Sequence, residues 1–154
     1  MILIKPHHFI DIIKLYGAGI EQFVPDEAFG HDFYKVANEI VHNPDCEFQI
    51  TIYGDDICKP CNRYNGLECT DPLDKIAGYD RKEIYNQALD SRLIELLQLD
   101  TKSRYTVREL LQVMQENPKI IFRVWLEEDS DVTEKRNTLF QKGCEKLHKN
   151  MRKE

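Results

Sequence analysis

The sequence predicts an α+β fold: a mostly helical single domain over residues 1–154, with two or three short strands and a long cysteine-rich metal-binding loop over residues 54–78. Three observations carry this prediction. Apolar residues recur at helical spacing in separate stretches along the chain. The stretch 46–53 alternates with a period of two instead, as a half-buried strand does. Residues 54–78 keep no apolar period and carry three cysteines. A chain of 154 residues suits one domain. At this size it buries roughly 70% of its unfolded surface, so no disulfide or metal is needed merely to fold it.

Met1 to Lys5 reads as a short strand. Pro6 follows where proline favours a first helical position. Phe9, Ile10, Ile13 and Tyr16 then mark a short helix that ends at Gly17. His7 and His8 fall in its first turn, where free backbone N–H groups favour an anion nearby. Pro25-Asp26 restarts a helix carrying Phe29, Phe33, Val36, Ala37, Ile40 and Val41, and Asn43-Pro44 ends it. Cys46, Phe48, Ile50 and Ile52 form one face of the alternating strand, and Gly54-Asp55-Asp56 turns the chain out of it. Asp80 and Glu83 make a capping-box pattern for a helix to Leu97, with Ile84, Ala88, Leu89, Leu93, Leu96 and Leu97 apolar. Thr106 and Glu109 repeat the pattern before Val107, Leu110, Leu111 and Met114. Ile120 to Leu126 fits a short strand or a helical turn, and periodicity does not separate them. Asp131 and Glu134 cap a last helix whose stripe is Leu139, Phe140, Gly143, Cys144, Leu147 and Met151.

Charge and composition narrow the function. Lys and Arg number 21 against 27 Asp and Glu, a formal net charge of −6, and the pI is near 5.4. That balance lacks the basic stripe of a nucleic-acid binder. Mean hydropathy is −0.53, and no apolar run nears the roughly 20 residues of a membrane span. The five cysteines are Cys46, Cys58, Cys61, Cys69 and Cys144. An odd count without a readable secretory signal points to the cytoplasm, where thiols stay reduced.

Clustered thiols in a reducing compartment are metal ligands before they are disulfide partners. Cys58-x-x-Cys61 lets two thiolates converge across a tight turn stiffened by Pro60, and Cys69 returns after Asn65-Gly66 reverses the chain. Iron–sulfur clusters and structural zinc both take four ligands. Cys46 is the candidate fourth thiolate, although eight residues of extended chain span roughly 26 Å and the loop must fold back to meet it. His7 or His8 is the alternative fourth ligand, since imidazole replaces thiolate in Rieske-type clusters and mixed zinc sites.

Blander readings stand beside these. The three loop cysteines also fit a redox dithiol with a spare thiol, but the strand–helix–strand context of such proteins is missing. Cys46 fits a small core residue equally well, and Cys144 on its apolar stripe reads as core. His31, His42 and His148 read as surface residues, and the acidic run Glu127-Glu128-Asp129 as a solvated loop. Asp55 and Asp56 read as turn residues accepting backbone N–H bonds, with a general base as the alternative. Trp125 and the tyrosines read as core and rim residues.

The segments Lys5-Pro-His-His-Phe9, Gly54-Asp-Asp-Ile-Cys58-x-x-Cys61 and Asn65-Gly66-x-x-Cys69, in this order, resemble a family of small uncharacterised bacterial and archaeal proteins. Its members open with Arg/Leu-Pro-His-His-Leu, carry Asp-Asp-Ile-Cys-x-x-Cys, and have been suggested to bind iron and sulfur. The resemblance covers about the first 100 residues. Many members place a cysteine just beyond the histidine pair, where this chain has Ile10, Asp11 and Ile12, so Cys46 or a histidine is needed here instead. Together with the residue reading above, the leading expectation is a cytoplasmic iron–sulfur protein, [4Fe–4S] or [2Fe–2S], held by Cys58, Cys61 and Cys69 with Cys46 as the fourth ligand, transferring electrons to a redox partner protein or sensing redox state. A structural-zinc interaction module is the alternative. A second alternative is an iron–sulfur enzyme with an open iron, where His7, His8, Asp55 or Asp56 serves as acid or base.

Overall fold

The computed structural model describes residues 1–153. Among these described residues the chain is α+β, with elements in the order β1 (Ile2–Ile4), α1 (Pro6–Gly17), α2 (Phe33–His42), β2 (Glu47–Ile50), α3 (Lys82–Leu97), β3 (Arg104–Thr106), α4 (Val107–Gln115), α5 (Ile120–Val124) and α6 (Ser130–Arg152). No helix is long and apolar enough to cross a membrane.

The three strands form one small sheet with β2 in the centre. β1 runs parallel to β2, Ile2 opposite Phe48 and Ile4 opposite Ile50, while β3 is antiparallel, with Tyr105 opposite Phe48. Both β1 and β2 therefore start at one end of the sheet and finish at the other. Lys5 and the start of α1 lie at the finishing end. The chain leaving β2 passes alongside β1 on its way into the loop, since Asp56 N–H donates to Leu3 O at 2.9 Å and Leu3 N–H donates to the Asp56 carboxylate at 2.8 Å.

α1 is the spine of the core. Phe9, Ile10, Ile12 and Ile13 are fully buried, and the Phe9 ring meets that of Phe48 at 5.5 Å between centroids. On its other side α1 packs closely against α6 because glycines lie at the crossing. A Cβ on Gly143 would stand 2.0 Å from Ile13 O, and one on Gly17 would stand 1.9 Å from Leu139 O. Both obstacles are backbone atoms, so neither position accepts a side chain without moving a helix.

Several boundaries differ from the sequence expectation. α2 starts at Phe33 rather than at Pro25-Asp26, because Asp26 Oδ1 accepts Ala28 N–H in a local turn and Gly30 adopts φ +71°. The regular strand covers 47–50 rather than 46–53. Ile120–Val124 is a helix, and the third strand lies at Arg104–Thr106. The Thr106 cap forms as expected, its hydroxyl accepting Glu109 N–H at 3.2 Å. The Asp80–Glu83 capping box does not form. α3 begins after Arg81, and Glu83 is drawn inward to pair with Lys5.

Candidate metal centre

Asp55 organises the finishing end of the sheet. It is fully buried, and its carboxylate accepts Lys5 N–H at 2.9 Å on Oδ2 and Cys58 N–H at 3.0 Å on Oδ1. The backbone of Asp55 takes part as well, its carbonyl accepting the N–H groups of Cys58 and Lys59, each at 3.1 Å. This is the turn expected from Asp-Asp, but it is closed inside the protein rather than on its surface. His8 Nδ1 lies 2.7 Å from Asp55 Oδ2. Burial works against the Asp55 charge. The facing His8 ring, the Lys5 N–H and the Lys5 ammonium outweigh it and hold the carboxyl well below the usual range.

The Cys58 thiol completes the arrangement. One ring nitrogen of His8, one oxygen of Asp55 and Sγ of Cys58 all lie within 4.8 Å of one another, the one such group of three donors among the described residues. Burial, reinforced by the Asp55 charge, pushes the Cys58 thiol up to about 12. A metal taking Cys58 as ligand therefore displaces a proton on binding. The donor set fits a borderline or soft transition metal. A carboxylate against one ring nitrogen of a histidine fixes its tautomer and orientation and leaves the other nitrogen for a metal.

His7, one residue back, is held separately. Its Nδ1 lies 2.9 Å from both oxygens of Asp90, and its backbone N–H donates to Asp90 Oδ1 at 2.8 Å. Asp90 is thus the anion favoured at the N-terminus of α1. Burial opposes charge on the His7 ring, but Asp90 outweighs it and raises the imidazole above its ordinary value. The two rings sit 4.3 Å apart between centroids.

Behind Cys58 lies a buried cation. Lys5 and Glu83 are each 1% exposed, with Lys5 Nζ 3.7 Å from Glu83 Oε2. Burial alone drives Lys5 toward the neutral amine. Cys58 when ionised, Glu83, Asp55 and Asp90 together outweigh it and keep the ammonium charged. Glu83 Oε2 also accepts Cys69 N–H at 3.1 Å, which ties the third loop cysteine to the same buried network.

The loop is fastened at several points. Cys61 N–H donates to Cys58 O at 2.9 Å and Asn62 N–H to Phe29 O at 2.8 Å. Asn65 Oδ1 accepts Leu67 N–H and Glu68 N–H, Gly66 takes φ +96°, and the chain returns so that Cys69 bridges Tyr64. The Tyr64 ring lies on Gly54, where a Cβ would stand 2.1 Å from its hydroxyl.

The structure places the expected ligands unevenly. Cys58, Cys61 and Cys69 are all partly exposed on this loop, and Cys61 and Cys69 lie outside the tight three-donor group. Cys46 stands just before β2, at the starting end of the sheet, with its thiol toward Glu47 O at 3.9 Å and Met1, Glu39 and Asn43 around it. The length of β2, about 13 Å at 3.3 Å per residue, separates it from Asp55, beside which the Cys58 thiol is held. Cys144 is buried in the core, as expected.

Asp90 and Glu83 were not among the expected site residues. A signal for them exists in the sequence: with Asn86 they occupy the buried stripe of α3 that continues through Leu93 and Leu97. Polar residues at core positions of a helix call for a buried partner.

Residues 26–128, about two thirds of the chain, match the model of a family described as protein of unknown function (DUF1284), and the chain belongs to that family. The matched segment contains Asp55, Cys58, Cys61, Cys69, Glu83 and Asp90. No curated protein and no solved structure matches the chain.

Proposed function

We propose that this member of the family is a metal protein, with a centre built on Cys58 and the His8 imidazole and completed by Cys61 and Cys69 of the same loop. The observation that carries this reading is the approach of the Cys58 thiol, the His8 ring and the Asp55 carboxylate to within 4.8 Å of one another. In it, Asp55 is the group that orients His8 and shapes the Cys58 turn, since its oxygens are already engaged by Lys5 N–H, Cys58 N–H and His8.

The proposed group is an iron–sulfur cluster serving one-electron transfer or redox sensing. Three thiols on one loop and a nearby imidazole supply four ligands of the types such clusters use. A cluster held by thiolates is anionic, and the buried Lys5 ammonium beside Cys58 offsets that charge. When bound, the cluster supplies the redox chemistry. The chain's own part is to hold the thiolates, orient His8 through Asp55, and set the local charge through Lys5 and Glu83.

A single zinc ion is the second reading, favoured by the compactness of the three-donor group. Elemental analysis of anaerobically purified protein separates the two. Iron with acid-labile sulfide supports the cluster, zinc without sulfide supports the single ion, and neither metal refutes both.

A further inference from the structure

Two carboxylates hold the backbones of Cys58 and Cys69, one each. Asp55 Oδ1 accepts Cys58 N–H at 3.0 Å, and Glu83 Oε2 accepts Cys69 N–H at 3.1 Å. Lys5 lies between the two carboxylates, with its own N–H on Asp55 Oδ2 at 2.9 Å and its Nζ 3.7 Å from Glu83 Oε2. All three residues are buried. Cys61 follows Cys58 through the turn closed by its N–H on Cys58 O. Cys69 has no such link, so its place relative to the other two depends on α3, which carries Glu83 in its first turn.

The local backbone explains why Cys69 needs that carboxylate. Residues 63–70 form a small hairpin in which Asn65 N–H donates to Glu68 O at 3.1 Å and Thr70 N–H to Arg63 O at 2.7 Å. Tyr64 and Cys69 face each other between these two bonds, which makes them a non-hydrogen-bonded pair of the ladder. The N–H groups of such a pair point away from the partner strand. Cys69 N–H is thus turned out of its hairpin and requires an acceptor elsewhere. The second half of the loop runs against the start of α3, with Leu73 N–H on Asp80 O at 3.0 Å and Lys82 N–H on Asp71 O at 3.1 Å, and this brings Glu83 to Cys69. A carboxylate beside thiolates adds negative charge, and the Lys5 ammonium offsets it.

We infer that Glu83 is a positioning residue for the metal centre: its buried oxygen, by accepting Cys69 N–H, sets Cys69 where its thiolate joins Cys58 and Cys61 as a ligand. The inference rests on the metal reading above and adds to it the group that delivers the third thiolate.

The test uses the full chain carrying Lys5→Met, so that removing Glu83 leaves no buried ammonium unpaired. In that background Glu83→Gln keeps an oxygen for Cys69 N–H and Glu83→Leu removes it, with far-ultraviolet circular dichroism as the check on folding. Glu83→Asp, made with Lys5 in place, withdraws the oxygen by one carbon and keeps the charge. Cobalt(II) is the probe, because each thiolate bound to it adds to the near-ultraviolet charge-transfer band. Per cobalt, Glu83→Gln is expected to keep the band, and Glu83→Leu and Glu83→Asp to lose about a third of it, one thiolate of three. Cys69→Ser should lose the same third, and adding it to Glu83→Leu should lose no more. In the metal-free chains, hydrogen exchange at the Cys69 amide should quicken about tenfold or more in Glu83→Leu and not in Glu83→Gln, while the Cys58 amide, held by Asp55, stays protected. A full band in Glu83→Leu and Glu83→Asp, the same loss in Glu83→Gln, or equal quickening at both amides overturns this inference and leaves the metal reading standing. A wild-type chain that takes up no cobalt overturns the metal reading and this inference with it.

Discussion

Replacing Asp55 by asparagine separates a buried organising carboxylate from an ordinary turn residue. The native side chain, itself fully buried, accepts Lys5 N–H at 2.9 Å and Cys58 N–H at 3.0 Å and faces His8 Nδ1 at 2.7 Å. Asparagine keeps one oxygen and turns an NH₂ group toward donors, so at least one backbone N–H loses its acceptor. Hydrogen bonds to a charged group contribute about 1.5–3 kcal/mol each, and an orphaned buried donor costs about 1–3 kcal/mol. Breaking a buried charged network at one member costs about 3–5 kcal/mol. For a chain of this size that lowers the melting temperature by about 6–20 °C. Asp56→Asn is the internal control. Its carboxylate accepts Leu3 N–H at 2.8 Å and meets Lys59 at 3.3 Å, but the side chain is 34% exposed, so about 1 kcal/mol is expected. Urea unfolding of the metal-free proteins, read by far-ultraviolet circular dichroism, measures both. The pH dependence has a fixed sign. The folded carboxyl is held below its unfolded value, so its contribution is full above about pH 4 and is lost as pH falls through the folded value. The deficit of Asp55→Asn should therefore shrink in acid. Equal costs for the two variants, or a cost for Asp55→Asn below about 1 kcal/mol, would refute the reasoning.

Other perturbations test other parts of the account. Gly143→Ala, whose Cβ meets Ile13 O, should destabilise by about 1–3 kcal/mol or more by forcing α6 from α1, measured by thermal melts. Lys5→Met should cost about 3–5 kcal/mol by stranding Glu83; the double variant with Glu83→Gln should recover part of it, and a strictly additive cycle would deny the coupling. His7 is raised by Asp90, so its contribution is full below about pH 6.5 and fades as pH rises through the folded value; His7→Gln should flatten that decline in urea midpoints of metal-free protein. Cys58→Ser should lower metal content on purification, whereas Cys46→Ser, at the far end of the sheet, should leave it unchanged.

Local signals in the sequence were legible where the chain satisfies itself locally. Thr106 caps α4 because its partner, Glu109, is three residues away. The same pattern at Asp80 and Glu83 fails because Lys5, far off in sequence, takes Glu83 into the interior. Pro25-Asp26 looks like a helix start, yet Gly30 at positive φ delays α2 to Phe33. For the site, the loop cysteines and the histidine pair stand out by spacing. The carboxylates that hold them do not, because His7 meets Asp90 across 83 positions and His8 meets Asp55 across 47. Only the polar residues on the inner stripe of α3 announce that something buried requires them. Cys46 was drawn into the candidate set by nearness in sequence, and the parallel pairing of β1 and β2 explains its remoteness, since it sets Cys46 at the opposite end of the sheet from Lys5 and Asp55.

The metal reading stands or falls most directly on iron, zinc and acid-labile sulfide measured in the same anaerobic preparation of the wild-type chain and of Cys58→Ser. Near-stoichiometric iron and sulfide in the wild type, lost in the variant while its fold persists by circular dichroism, is the predicted result. A wild-type protein free of metal, or a variant that keeps its full complement, would contradict it.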